Sequence, residues 1–171
     1  TAGTKVVAAP GDIVATVRGV SRGSRSIRGA VAGDNVELQL AGITMLQIRP
    51  GDVLCPPYER IPVASKFVAR IGTLPSMGDM PLFKGQQMVL HTQNLEEACN
   101  LAHLRTIIDK SGTVKQRKPK FIGRNATAEV VIKTTRPIPL ETLESHRRLG
   151  RFMLRYSGKT VAAGMVVGLL K

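Results

Sequence analysis

Across 171 residues the sequence is 43% hydrophobic but only 4% aromatic, with no Trp, and its 25 Lys and Arg outnumber 12 Asp and Glu for a net charge of +13. That length buries a full core as one domain or as two small barrels, and Cys55 and Cys99 without CxxC spacing argue against a disulfide framework or a zinc site. No apolar run reaches the ~18 residues of a membrane-spanning helix and no signal-peptide pattern opens the sequence, so the expectation is a cytoplasmic protein with no membrane partner. The charge points to a polyanionic neighbour such as RNA and leaves acidic protein partners open.

In chain order, TKVVAAP, DIVATVRGV, NVELQLAGI and DVLCPP read as strands, punctuated by the turn pairs Gly11-Asp12, Gly33-Asp34 and Gly51-Asp52. The segment from Pro56 to Pro62 holds three prolines, which cannot donate to a central ladder, and marks a domain boundary. Beyond it come SKFVARIGTL, the turn pair Gly78-Asp79, QMVLHTQ, AEVVIKTT, RFMLRY and TVAAGMVVGLL. Between the third and fourth of these, NLEEACNLAHLRTIIDKSG places Leu95, Ala98, Cys99, Ala102 and Ile108 near helical spacing, with Asn94 as an N-cap and Glu96 and Glu97 in the first turn. The rest predicts an all-β chain with a helical content below about a fifth, against a usual third.

A search for a catalytic centre finds none. Gly158-Lys159-Thr160 ends like a phosphate-binding loop, but Met153 stands where GxxxxGK[ST] needs glycine, and the sequence that follows reads as a strand. RFMLRY and TVAAGMVVGLL instead form a β-hairpin about Ser157-Gly158. His91, His103 and His146 stand in no metal-binding frame, and Asp109-Lys110-Ser111-Gly112 reads as a polar turn. Three cationic clusters remain. Arg18, Arg22, Arg25 and Arg28 are spaced by Gly and Ser as a flexible hairpin tip suited to phosphate. Lys115, Arg117, Lys118 and Lys120 surround Pro119, a cluster suited to RNA or protein. Arg147, Arg148, Arg151 and Arg155 lead into the hairpin, where alternation puts Arg151, Met153 and Arg155 on one face and Phe152, Leu154 and Tyr156 on the other, the core side. A competing role for Arg151 is an ion pair with Glu141 or Glu144.

GDNVELQLAGI, IRPGDVLC, KFVARI, LHTQ, IDKSG, KPKF, RPIPLE and GRFMLRYSGKTVAAG, in this order, resemble domains two and three of translational GTPases of the elongation factor Tu and elongation factor one alpha class. Within the class, KPKF with RPIPLETL and LGRFMLRY…TVAAGMV is most similar to the ribosome-rescue GTPase that partners Pelota. The GTPase that partners the class one release factor comes next, and a GTPase-like adaptor for RNA decay is a further relative. The resemblance implies two antiparallel β-barrels of the translation-factor type: residues 1–58, a domain two barrel lacking its first strands, and residues 59–171, a complete domain three barrel. It also implies mostly strand for Ala98 to Asp109.

Functionally, the resemblance implies a partner-docking and ribosome-contacting part of a translational GTPase. The partner is a Pelota-like or release-factor-like protein, met by Arg148, Arg151, Met153, Arg155 and Lys159. Ribosomal small-subunit RNA would be met by Arg18, Arg22, Arg25, Arg28, Lys115, Arg117 and Lys118. The chain itself is expected to hold no catalytic residue, metal or cofactor, with GTP and magnesium bound by the GTPase domain of a longer parent. The rival class is a free-standing basic β-barrel that binds RNA. Scarce exposed-looking aromatics argue against it, since single-strand binders stack bases on rings.

Overall fold

A computed structural model describes residues 1–109 and 111–170. The chain divides into two compact units, Thr1–Ile61 and Pro62–Lys171. The division falls three residues beyond the boundary expected at 58. Arg60 explains the shift, since its guanidinium donates to both carboxylate oxygens of Asp12, at 2.6 and 2.8 Å, and ties the proline-rich segment to the first unit.

The first unit is an open antiparallel sheet of β1 (Lys5–Ala9), β2 (Ile13–Arg22), β3 (Arg25–Ile27), β4 (Glu37–Ala41) and β5 (Val53–Cys55). Their order is β3-β2-β1-β5, with β4 also on β2. Its buried side chains are small: Val7, Ala8, Ala9, Ala15, Val17, Val20 and Cys55.

The second unit contains β6 (Val63–Thr73), β7 (Leu82–Phe83), β8 (Gln87–Thr92), β9 (Leu95–Ile108), β10 (Val114–Arg117), β11 (Phe121–Ile122), β12 (Thr127–Pro139), β13 (Arg151–Tyr156) and β14 (Lys159–Leu170). Pairing runs β9-β12-β6-β14-β13-β8 and returns from β8 to β9, which closes a six-stranded antiparallel barrel with β10 attached to β9. Closure removes the unpaired edges that an open sheet leaves. The lumen holds Phe67, Ile71, Leu90, Leu101, Ile132, Phe152 and Leu154, and Phe67 meets Phe152 edge-to-face with centroids 5.7 Å apart.

Segment 95–108 is strand throughout, so the helical reading of Asn94 to Asp109 gives way to the strand that the family resemblance implies. Ala98, on the apolar stripe of that helix, is exposed. Helical structure among the described residues comprises two 3₁₀ turns, Met45–Gln47 and Pro75–Met77. Among the described residues no helix is long and apolar enough to cross a membrane.

Candidate functional site

The β13–β14 hairpin turns at Ser157 and Gly158, both with positive φ (49° and 77°), and Tyr156 pairs with Lys159 across it. Two left-handed residues match the twist of the flanking strands. Lys159 is therefore an exposed residue of a hairpin end. Period-two alternation sets the rest: Phe152 and Leu154 are buried, and Arg151, Met153 and Arg155 are exposed. Two side-chain bonds hold the approach to β13. Thr92 Oγ1 donates to the Arg151 carbonyl at 2.8 Å, and Gln93 Nε2 to the Arg148 carbonyl at 3.0 Å. The Arg148 side chain is left exposed.

Register builds the outer face from neighbouring strands. Met153 lies between His91 of β8 and Ala163 of β14, and Arg151 opposes Met165, which opposes Arg70 of β6. Arg151, Met153, Met165, Arg70 and Leu143 line a groove of about 490 Å³. Its floor includes Gly72, where an added Cβ would meet nothing nearer than 4.0 Å. Among the described residues the ion pairs include neither Arg151 nor Arg70, so the pairing of Arg151 with Glu141 or Glu144 is not made. Arg155 is less free than alternation alone suggests. Its guanidinium donates to the Gly158 carbonyl of its own turn at 2.8 Å, and it lines a different groove, of about 890 Å³, with Gln87, Cys99 and Lys133. The arginine pair expected to act together thus opens onto two grooves.

The other two clusters lie on the β2–β3 hairpin and along β10. Arg18 and Arg22 belong to β2 and Arg25 to β3, with Arg22 opposite Arg25 across the Gly23 turn, so Arg22 and Arg25 close a hairpin tip and Arg18 stands further down its strand. Arg28 follows β3, and all four are exposed. Arg22 Nη2 is 2.5 Å from Asp34, whose other oxygen accepts from the Val31 N–H at 3.0 Å. Lys115 is the extra residue of a bulge in β10. Arg117 and Lys118 turn into a groove that also receives Lys66, Lys84 and Arg105, none of which the clustering in sequence singled out.

Both cysteines are free and buried. Burial, with the Glu97 charge as a lesser cause, pushes the Cys99 thiol up to about 12. Asp109 is an ordinary turn carboxylate that accepts from Ser111 Oγ (2.6 Å) and from the backbone N–H groups of Ser111 and Thr113 (both 2.9 Å). The Ser111 hydroxyl first, then the backbone donors, hold its carboxyl below the usual range. Lys110 of the same DKSG stretch lies outside the described residues. Among the described residues no three His, Cys, Asp or Glu side chains gather as a metal site.

A closed six-stranded barrel follows a smaller open sheet in sequence, and both carry outward cations. The chain belongs to the GTP-eEF1A C-terminal domain-like family of translational GTPases, whose model matches residues 66–167. It is 36% identical over 169 residues to elongation factor 1-alpha of Methanosarcina barkeri, covering 98% of this chain and 39% of that one. To protein HBS1 of Drosophila melanogaster it is 38% identical over 136 residues, covering 79% of this chain and 20% of that one. Its fold superposes on the crystal structure of Sup35 complexed with GDP with a TM-score of 0.90 and 26% identity, covering 99% of this chain and 41% of that one. The chain thus spans about two-fifths of the elongation factor's length.

Proposed function

We propose that this chain is the partner-docking and ribosome-contacting part of a cytoplasmic translational GTPase that delivers a Pelota-like factor to stalled ribosomes for rescue and mRNA surveillance. In this reading the parent protein hydrolyses GTP with magnesium in a GTPase domain, and the chain supplies surface for binding and no catalytic group. The observation that carries the reading is the outer face of β13: Arg151 stands beside Met153, Met165 and Arg70, and among the described residues no acid pairs with it. An apolar centre flanked by unpaired guanidinium groups suits a partner surface with a carboxylate beside an apolar side chain, because the planar fork of arginine takes a carboxylate in two parallel bonds. The 38% identity to HBS1 over 136 residues is in keeping with the rescue branch of the family. On the first unit, Arg18, Arg22, Arg25 and Arg28 serve as phosphate contacts on ribosomal RNA.

Isothermal titration of the 171-residue chain with a Pelota-like protein, and in parallel with a class one release factor, tests the reading. Arg151→Glu is expected to cost on the order of 2 kcal/mol of partner affinity while leaving the melting temperature within a degree or two. Arg155→Glu is expected to cost less, because Arg155 is partly engaged by its own turn. Unchanged Pelota affinity in a folded Arg151/Arg155 double reversal would remove the docking face. Tighter binding of the release factor than of the Pelota-like protein would move the chain to the termination branch.

A further inference from the structure

The second unit carries two exposed phenylalanines that its barrel does not use. β7 and β11 form a two-stranded ribbon in which Leu82 pairs with Ile122 and Phe83 with Phe121. Leu82 and Ile122 are buried, and alternation leaves Phe83 and Phe121 facing outward, 48% and 55% exposed. The rings lie 6.5 Å apart and are tilted by 58°, so each presents its own face to a neighbour. Leaving two rings in water forgoes the burial that a Phe normally gains on folding. Lys84, which follows Phe83, and Pro119, two residues before Phe121, enter the wall of a groove of about 670 Å³, which gathers Lys66 of β6, Arg105 of β9, Arg117 of β10 and Lys118. Elements far apart in sequence bring these cations together. Among the described residues no Asp or Glu lines the groove, and an acid that engages it is Glu129, 3.2 Å from Arg105. Lys118 is held in a left-handed conformation (φ 48°) with its N–H donating to the Arg105 carbonyl at 2.7 Å, which sets the groove's rim.

We infer that this groove and the Phe83–Phe121 pair form a binding site for single-stranded RNA, with the phosphates along Lys66, Lys84, Arg105, Arg117 and Lys118 and unpaired bases stacking on the rings. A charged track beside aromatic faces is the combination that holds single strands with little sequence preference, since every base has a face to stack. A duplex hides those faces, and an acidic peptide gains from the cations but not from the rings. The site stands apart from the docking face of β13 and does not rest on the identity of any protein partner. Against the expectation of scarce exposed aromatics, two of the four phenylalanines are half-exposed and adjoin Lys84 and Lys120 in sequence.

Fluorescence anisotropy of the 171-residue chain with a labelled uridine-rich oligonucleotide of about a dozen nucleotides, across a salt series, tests the inference. Phe83→Ala with Phe121→Ala is expected to weaken binding at least about fivefold without changing the salt slope, and Phe83→Tyr with Phe121→Tyr to retain it. Lys84→Glu with Lys118→Glu is expected to weaken binding and to lower the slope of log K against log salt by about 1.4, at about 0.7 for each lost phosphate contact. Arg22→Glu with Arg25→Glu, on the other unit, is expected to leave the slope and the Phe effect in place. Unchanged affinity in the double alanine variant would overturn the site. So would loss of all binding in the Arg22/Arg25 variant, or competition by duplex RNA or a polyglutamate peptide as strong as by the single strand.

Discussion

Glu97 is the one acidic side chain buried in the barrel wall among the described residues, 8% exposed, and the Arg136 guanidinium donates to it from β12. A carboxylate out of water needs such a partner, because the loss of hydration is offset only by a close and well-directed donor. Removing the arginine leaves the acid stranded. Arg136→Ala is therefore expected to destabilise the chain by about 2–3 kcal/mol, less than for a fully buried pair because Arg136 itself is partly exposed, with thermal melting as the measurement. Arg136→Ala combined with Glu97→Gln is expected to recover part of the loss, since a neutral amide tolerates the site better than a lone charge. Neither the pair nor the Arg22–Asp34 bridge was legible in the sequence. Their partners are 39 and 12 residues apart and meet only once the strands are in register. What was legible at this scale was local: the outward Arg151, Met153 and Arg155 and the inward Phe152 and Leu154 follow from a period of two with no knowledge of neighbours.

At the scale of elements, β9 shows why a strand can carry a helical signature. Its pairing with β12 skips from Leu104 to Thr106 and from Leu101 to His103, so Arg105 and Ala102 are extra residues in bulges. Each bulge turns the following side chains to the opposite face, and the buried set Leu101, Leu104 and Ile108 falls at intervals of three and four. The stripe of Leu95, Ala98, Cys99, Ala102 and Ile108 has another source: Leu95, Glu97, Cys99 and Leu101 are buried at a strict period of two ahead of the bulges, and Ala98 and Ala102 are small apolar residues outside the core that complete a helical spacing by chance. Glycines on β6 and β14 give a sharper element-scale test. Gly164 points into the barrel, where an added Cβ would lie 2.5 Å from the Phe152 ring, whereas Gly72 in the adjoining strand points outward into open space. Gly164→Ala is expected to cost about 1–3 kcal/mol through overpacking, and Gly72→Ala to be neutral or stabilising by up to about 0.5 kcal/mol through a less flexible unfolded chain. Urea melts of the two variants check the sign of each.

For the whole molecule, the two units differ in the size and closure of their cores, and their stabilities follow from that difference. The first buries only Ala, Val and Cys side chains in an open sheet, with β3 and β5 paired on one side each. The second closes its sheet around a continuous cluster that includes Phe67, Leu90, Leu101, Ile132 and Leu154. Larger apolar side chains bury more area, and closure leaves fewer backbone groups to be satisfied by water, so the barrel is expected to be the more stable unit. Proteins with two cores need not unfold in one step. The cysteines supply a probe in each unit: Cys55 lies on β5 and Cys99 on β9, and each is 4% exposed, so neither reacts until its own unit opens. Thiol labelling at increasing urea is expected to modify Cys55 at a lower concentration than Cys99, and calorimetry to resolve two transitions with the smaller enthalpy first. The raised pKa of Cys99 slows its labelling in the native state, but the unfolded thiol returns to the ordinary range. The urea midpoint for Cys99 labelling therefore reports opening of the barrel. Coincident midpoints for the two thiols, with a single calorimetric transition, would show that the units unfold as one and that the open sheet draws its stability from elsewhere in the chain.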